Sequence, residues 1–431
     1  MLIILDDDPT GTQTTRGLPV LTEWTVDALK SEIDRDGEAF FILTNSRALT
    51  EKAAIDLNQT IARNLSVAAA GRKFTLVSRG DSTLRGHFPL ETDVLSAELG
   101  PFDATFLIPF FEAGGRITQE DVHYVREGER LIPVGETPFA KDPTFGFSSS
   151  NLKDYIVEKS HGRIATSEVF SLSLEVLRSG VGFVRDAVVE LPEGCHCIVN
   201  ATLPSDLQAF AAGLKLAEKA GRRFLFRTAA EFVAAYLGQA TGELLDPAKL
   251  GPSSGIGGLI VVGSHVPKST VQLERLISGE IMEPIELNVA SLLNEDKRAA
   301  EIDAAGARMA ATLGAGRDAV LFTSRKRIDG LDGESSLEIA GKVSSALVEL
   351  VGGLNVRPRY LVAKGGITSS DLATKALRVK RAIVVGQILP GVPVWEIGED
   401  SLFPGLLYVV FPGNVGSEDA LVRLAENLSI K

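Results

Sequence analysis

Apolar runs of strand length alternate with helix-period segments along nearly the whole chain, and that rhythm restricts the fold to an α/β class with mainly parallel sheets flanked by helices. The spacing predicts strands at 2–5, 40–43, 74–78, 104–109, 195–199, 223–226, 259–262, 319–322, 360–363, 382–385 and 406–411. Between the second and third runs, Leu57, Ile61 and Leu65 recur every fourth residue and make one apolar helix stripe. Residues 110–150 break the rhythm with Gly114, Gly115, Gly128, Pro133, Pro138 and Pro143, which predicts a long functional loop or a small irregular subdomain.

A chain of 431 residues is long enough for more than one apolar core. Breakers concentrate between Pro247 and Gly258, so the expected division is a domain at 1–246, a linker at 247–258 and a domain at 259–431. Hydrophobic residues at 45% and charged ones at 23% describe a soluble globular protein. A net charge of −12, dispersed basic residues and 6% aromatics argue against a nucleic-acid partner. No apolar run is long enough for a bilayer, and Asp6 interrupts the first one at once, so neither a membrane partner nor a signal peptide is expected and the predicted location is cytoplasmic. The oligomeric state leaves no readable pattern. The only two cysteines, Cys195 and Cys197, flank His196 on a strand-like run; without a second ligand pair they read as buried thiols in a reducing compartment.

Three strand ends in the first ninety residues carry chemistry. Leu2-Ile3-Ile4-Leu5 runs into Asp6-Asp7-Asp8-Pro9-Thr10-Gly11, and Phe40-Phe41-Ile42-Leu43 into Thr44-Asn45-Ser46-Arg47. Residues 74–78 run into Arg79-Gly80-Asp81-Ser82-Thr83-Leu84-Arg85-Gly86. The carboxyl ends of strands in open α/β sheets are where ligands usually bind. Adjacent carboxylates raise some of their own pKa values unless cations or amides offset the crowding, and such a cluster suits magnesium or a proton acceptor. The planar fork of Arg47 suits a substrate carboxylate. Each motif alone is also what a salt-bridged, hydroxyl-capped surface turn would need; Arg85 in particular reads as a partner for a nearby carboxylate.

The second half repeats the strand-turn-helix unit with neutral, glycine-rich turns: Gly263-Ser264-His265 after 259–262, Gly365-Gly366-Ile367-Thr368-Ser369 after 360–363, and Pro412-Gly413-Asn414-Val415-Gly416 after 406–411. Glycines let backbone N–H groups approach a ligand, and hydroxyls add donors, a combination suited to phosphates. None matches the Walker or Gly-x-Gly-x-x-Gly pattern, and a helix cap needs much the same residues. Three such turns at separate strand ends point to a nucleotide, and a charged first domain beside a neutral second one points to phosphoryl transfer across an inter-domain cleft.

Taken together, these residues resemble the four-carbon acid sugar kinase family, whose members phosphorylate threonate, erythronate and 3-oxo-tetronate, over nearly the whole chain. Asp7-Asp8-Pro9-Thr10-Gly11 is similar to the family's Asp-Asp-Leu-Thr-Gly, Ser46-Arg47 to its Ser-Arg element, and Asp81-Ser82-Thr83-Leu84-Arg85-Gly86 to its most specific motif. Gly114-Gly115-Arg116 and Thr137 to Pro143 resemble its central loop, and the three later turns follow in the family's order. The family's usual glutamate in Gly-Gly-Glu-Thr-Ser is Ile367 here, and its Lys-Ser before Gly-Asn is Phe411-Pro412. The resemblance implies that Asp7, Arg47, Arg79, Gly80, Asp81 and Ser82 contact an acid sugar. It implies that Ser264, Gly365, Gly366, Ile367, Thr368 and Gly413 contact ATP, with magnesium carried on the outer phosphates rather than in a protein-only metal site. Arg47 and Arg79 would then hold the substrate carboxylate, and Asp81, or failing that Asp7 or Asp8, would accept the proton of the attacking hydroxyl. Two competing readings use the same residues: a lyase or isomerase acting on a phosphorylated sugar acid, and a non-catalytic sensor of nucleotide or sugar acid.

Overall fold

Two units make up the chain, Met1–Gly242 and Glu243–Lys431, in a computed structural model that describes residues 1–240, 242–247, 250, 256–326, 328 and 333–429. Of the breaker-rich stretch 247–258, residues 248, 249 and 251–255 lie outside the described residues.

In chain order the strands of the first unit are β1 (Leu2–Asp6), β2 (Pro19–Leu21), β3 (Ala39–Leu43), β4 (Thr75–Arg79), β5 (Ala104–Ile108), β6 (Arg116–Gln119), β7 (Val122–Glu127), β8 (Arg130–Pro133), β9 (Val169–Leu172), β10 (Cys195–Val199) and β11 (Phe224–Thr228). Eight form a parallel sheet in the order β2-β3-β1-β4-β11-β5-β10-β9. Residues buried on both faces suit such a sheet, and Leu2 to Asp6 and Ala39 to Leu43 are buried throughout. Helix Glu51–Ala69 shows how the flanking layer is specified. The Thr50 hydroxyl accepts the Ala53 N–H at 3.4 Å to start it. Its Ile61 and Leu65 are fully buried against a cluster that includes Ile3, Leu5, Phe40 and Ile42, each such side chain worth about 1.5–3 kcal/mol of burial. The helix stops where Ala70 turns left-handed at φ 48°.

The chain leaves β1 towards β3 on one side and returns to β4 on the other, so the strand order reverses at β1. A crevice at the carboxyl ends of the strands forms at such a switch point.

Residues 110–150 are more ordered than a loop. β6, β7 and β8 make an antiparallel meander, and its Val125, together with Val134 and Phe147, packs with Leu84, Phe88 and Tyr155. Cys195 and Cys197 are buried and unpaired on β10.

The second unit contains β12 (Leu259–Val262), β13 (Glu283–Leu287), β14 (Ala319–Thr323), β15 (Tyr360–Lys364), β16 (Arg381–Leu389), β17 (Val392–Ile397) and β18 (Leu407–Phe411). Its order is β13-β14-β12-β15-β18-β17-β16, parallel from β13 to β18, with β17 antiparallel to both β18 and β16. Here the order reverses at β12, between β14 and β15. The core of this layer gathers Ile260, Val262, Leu273, Leu276, Val362, Val409, Phe411 and Leu424. No helix among the described residues is long and apolar enough to cross a membrane.

Candidate functional site

At the switch point of the first unit, β1 delivers three consecutive carboxylates with three different environments. Asp6 lies opposite Leu43 and Arg79 in the parallel ladders. Its Oδ1 accepts from Arg79 Nη1 at 3.2 Å, while Oδ2 is buried without a partner. Burial is the main reason its pKa is pushed up to about 7, with Arg79 opposing and Asp7 and Asp8 adding to the rise. Asp7 is the most heavily engaged. Arg47 grips it with two prongs, Nη2 to Oδ1 at 2.5 Å and Nε to Oδ2 at 3.1 Å, and Arg79 Nη1 lies 3.4 Å from Oδ1. Arg227 Nη2 stands 3.9 Å from Oδ2. Asp8 caps the turn Pro9–Thr14 by accepting the Thr10 N–H at 2.9 Å. Burial would raise Asp8, but Arg47, 3.5 Å away, and the Thr10 hydrogen bonds hold it below its ordinary value.

The next turn, 80–86, carries Asp81. Its Oδ2 accepts from Arg85 Nε at 2.7 Å and from the Thr83 hydroxyl. Burial again acts upward, yet Arg85, Arg47 and Thr83 hold the carboxyl well below the usual range. Arg227 packs against the turn at Gly80 and Gly86, while its Nη1 donates to Ser78 Oγ at 2.9 Å and to Glu91 on either side of it. Gly86, at φ +135°, lets the chain pass so close that a Cβ there would lie 2.6 Å from Arg227 Nη2. Two side chains hold the turn's backbone: His123 Nε2 at 2.8 Å from Ser82 O and Tyr155 Oη at 2.9 Å from Leu84 O. A carbonyl only accepts, so His123 carries its proton on Nε2 and receives the Thr118 hydroxyl on Nδ1 at 2.9 Å. Burial pushes its pKa down to about 4, so the ring stays neutral.

In the second unit the turns after β12, β15 and β18 come together. Ser269 Oγ donates to Gly413 O at 2.8 Å and lies 3.1 Å from Ser264 Oγ, and the Gly365 N–H reaches Phe411 O at 2.8 Å. Gly365 has φ +115°, and a Cβ on it would sit 3.0 Å from the Ser264 Cβ. On Gly413 a Cβ would sit 2.9 Å from Ser264 Oγ, and on Gly263 it would collide with Thr368 Oγ1. This is a cradle of amides and hydroxyls that any larger residue would fill, and it fits a polyphosphate. Gln272 Nε2 holds the last turn through Val415 O at 3.1 Å and Ser417 O at 2.7 Å. Arg325 closes one side, its Nη2 donating to Ser264 O at 2.7 Å and Thr270 Oγ1 at 2.6 Å. Among the described residues, no group of three or more His, Cys, Asp or Glu side chains could hold a metal ion.

Within the first unit, Asp7, Arg47 and Arg79 are in direct contact, Asp8 joins them through Arg47, and Asp81 is paired instead with Arg85 in the adjoining turn. Gly80 packs on Arg227 and Ser82 faces His123 through its carbonyl. Within the second unit, Ser264, Gly365, Thr368 and Gly413 converge. Gly366 opens the short helix Gly366–Asp371, and Ile367 is 60% exposed. Sequence reasoning missed Arg227 and Glu91, and gave His123, noted near the motif turns, no role. Arg227 left a signal, as the cation at the carboxyl end of the strand-like run Phe224-Leu225-Phe226.

Residues 2–236 match the family model of a sugar-binding N-terminal domain, and residues 259–421 that of a nucleotide-binding C-terminal domain. A D-threonate kinase of Bordetella bronchiseptica is 26% identical over 438 aligned positions, covering 98% of this chain and 96% of that protein. Two solved structures share the fold. One is a Salmonella typhimurium LT2 protein provisionally described as a tRNA synthase, at TM-score 0.71 and 15% identity, with 98% of each chain covered. The other is a Haemophilus influenzae protein from a family named only as a domain of unknown function, at TM-score 0.69 and 18% identity, with 100% of each chain covered.

Proposed function

Since the chain belongs to the four-carbon acid sugar kinase family, we propose that it transfers the γ-phosphoryl group of ATP to a hydroxyl of a small, tetronate-like acid sugar. In this reading residues 1–246 bind the sugar acid, 247–258 link the halves, and 259–431 bind the nucleotide. The observation that carries it is the arginine-clamped carboxylate cluster at the β1 switch point, with Asp7 held by Arg47, Arg79 and Arg227 and with Asp81 in the adjoining turn. The likeness to a D-threonate kinase supports a four-carbon acid as the substrate class.

Asp7, Arg47, Arg79, Gly80, Asp81 and Ser82 line the sugar acid. Arg47 fixes Asp7 and keeps Asp8 ionised, and Asp81 accepts the proton of the attacking hydroxyl, with Asp7 and Asp8 the other carboxylates able to take it. Ser264, the turn Gly365 to Thr368 and Gly413 hold the phosphates by backbone and hydroxyl donors. Bound ATP supplies the phosphoryl group, and a magnesium ion on its outer phosphates neutralises charge there.

An ADP-coupled assay over four- to six-carbon sugar acids tests the proposal. The expected result is ADP release that depends on both magnesium-ATP and one class of acid. Nucleotide binding without turnover on any acid would favour a sensor, and conversion of a phosphorylated acid without ATP a lyase or isomerase.

A further inference from the structure

The family resemblance gives the substrate carboxylate to Arg47 and Arg79. The arginines of the β1 site already have carboxylates of their own. Arg47 is closed on Asp7 and Asp8, Arg79 on Asp6 and Asp7, and Arg227 on Glu91 and Asp7. Arg85 lies 2.7 Å from Asp81 and 3.9 Å from Asp142.

Arg116 differs. It opens β6, on the meander that His123 ties to the Asp81 turn. Its only acceptor among the described residues is the Gly114 carbonyl, through Nη1, and its Nε is buried with no partner. The segment is shaped around it: a Cβ on Gly114 would collide with Arg116 Nη1, and Phe111 and Arg116 close the loop by exchanging backbone hydrogen bonds at 2.9 Å each. The guanidinium lies 5.7 Å from the centre of the Phe139 ring, which Arg85 also covers at 5.1 Å. Burial lowers its pKa from the ordinary arginine value; Asp81 opposes that, Arg85 reinforces it, and Glu127 opposes it weakly. A half-buried guanidinium without a carboxylate in contact is a costly arrangement that an incoming anion relieves.

Building on the proposed kinase function, we propose that Arg116 is the anchor for the sugar acid's carboxylate, taking it through the terminal guanidinium N–H groups that the Gly114 carbonyl does not engage, while the substrate's hydroxyl end lies at Asp81. The chain then distinguishes a sugar acid from a neutral polyol or amide of the same length at Arg116, and Arg47 and Arg79 act on the internal carboxylates.

Calorimetric binding of D-threonate and its neutral amide, D-threonamide, to wild type, Arg116→Gln and Arg116→Lys decides the matter, with ADP release measured in parallel. Wild type is expected to prefer the acid. Arg116→Gln should weaken D-threonate by about ten- to a hundred-fold, the size of a lost charged hydrogen-bonding pair. It should leave the amide and ATP unchanged, and Arg116→Lys should restore part of the acid preference. If Arg116→Gln keeps that preference, or wild type shows none, the anchor is refuted. Absence of ADP release by wild type would count against the kinase reading, while the binding preference still decides the anchor.

Discussion

A carboxylate that Arg85 and Thr83 keep ionised is a weak base but a well-positioned one, and phosphoryl transfer depends more on position and charge than on base strength. Asp81→Asn is therefore expected to lower kcat by about a hundred-fold or more, with little change in KM for ATP. Steady-state kinetics with the true acid substrate checks this, and unchanged turnover would move the proton acceptor to Asp7 or Asp8. At this scale the sequence was readable where neighbours in space end adjacent strands. Asp7, Arg47 and Arg79 meet because β3, β1 and β4 lie side by side in register. It was silent on Arg227 and Glu91, which arrive from β11 and helix Leu90–Leu99 and reveal themselves only after packing. Crowding of Asp6, Asp7 and Asp8 predicted that some pKa values would rise; that Asp6 rises while Asp8 falls depends on Arg47 reaching Asp8.

At the scale of elements, the turn after β15 hangs on Lys364. Its Nζ is buried, donates to Pro412 O at 2.7 Å and lies 3.6 Å from the centre of the Phe411 ring. Burial, aided by Lys268, pushes its pKa down to about 6, although the ring face favours the charged form in part. Because the folded state releases this proton at lower pH than the unfolded chain, stability should rise with pH between about 6 and the ordinary lysine value of 10.5. Thermal melting of wild type and Lys364→Met across that range tests this. The wild type should gain on the variant as pH rises, by up to about 1.4 kcal/mol per pH unit, and a constant difference would contradict it. The strands nearest both sites were legible as continuous apolar runs. The meander was not, since the β6 to β7 turn places Glu120 and Asp121 at φ 51° and 63° without the Asn-Gly signature of such hairpins. β13 was hidden for another reason: it is an edge strand with Pro284 inside it and alternating exposure.

For the molecule as a whole, each unit has a strand from which the chain leaves to one side and returns on the other, β1 in the first and β12 in the second, and the predicted polar turns collect near those two points. The α/β class followed from the rhythm of apolar runs alone. The strand orders did not, because which strands neighbour β1 and β12 depends on crossover packing and not on local sequence. The choice of acid among sugar acids is likewise beyond the motifs, since it depends on the fit of one carboxylate and a few hydroxyls. In the proposed reaction phosphoryl leaves ATP for a hydroxyl of the acid. Phosphorus-31 NMR of the protein with magnesium-ATP and a panel of four-carbon acids that includes D-threonate reads that transfer directly. ADP and a phosphate ester should form in equal amounts with at least one acid. ADP accompanied only by inorganic phosphate, or ATP left intact with every acid, would contradict it.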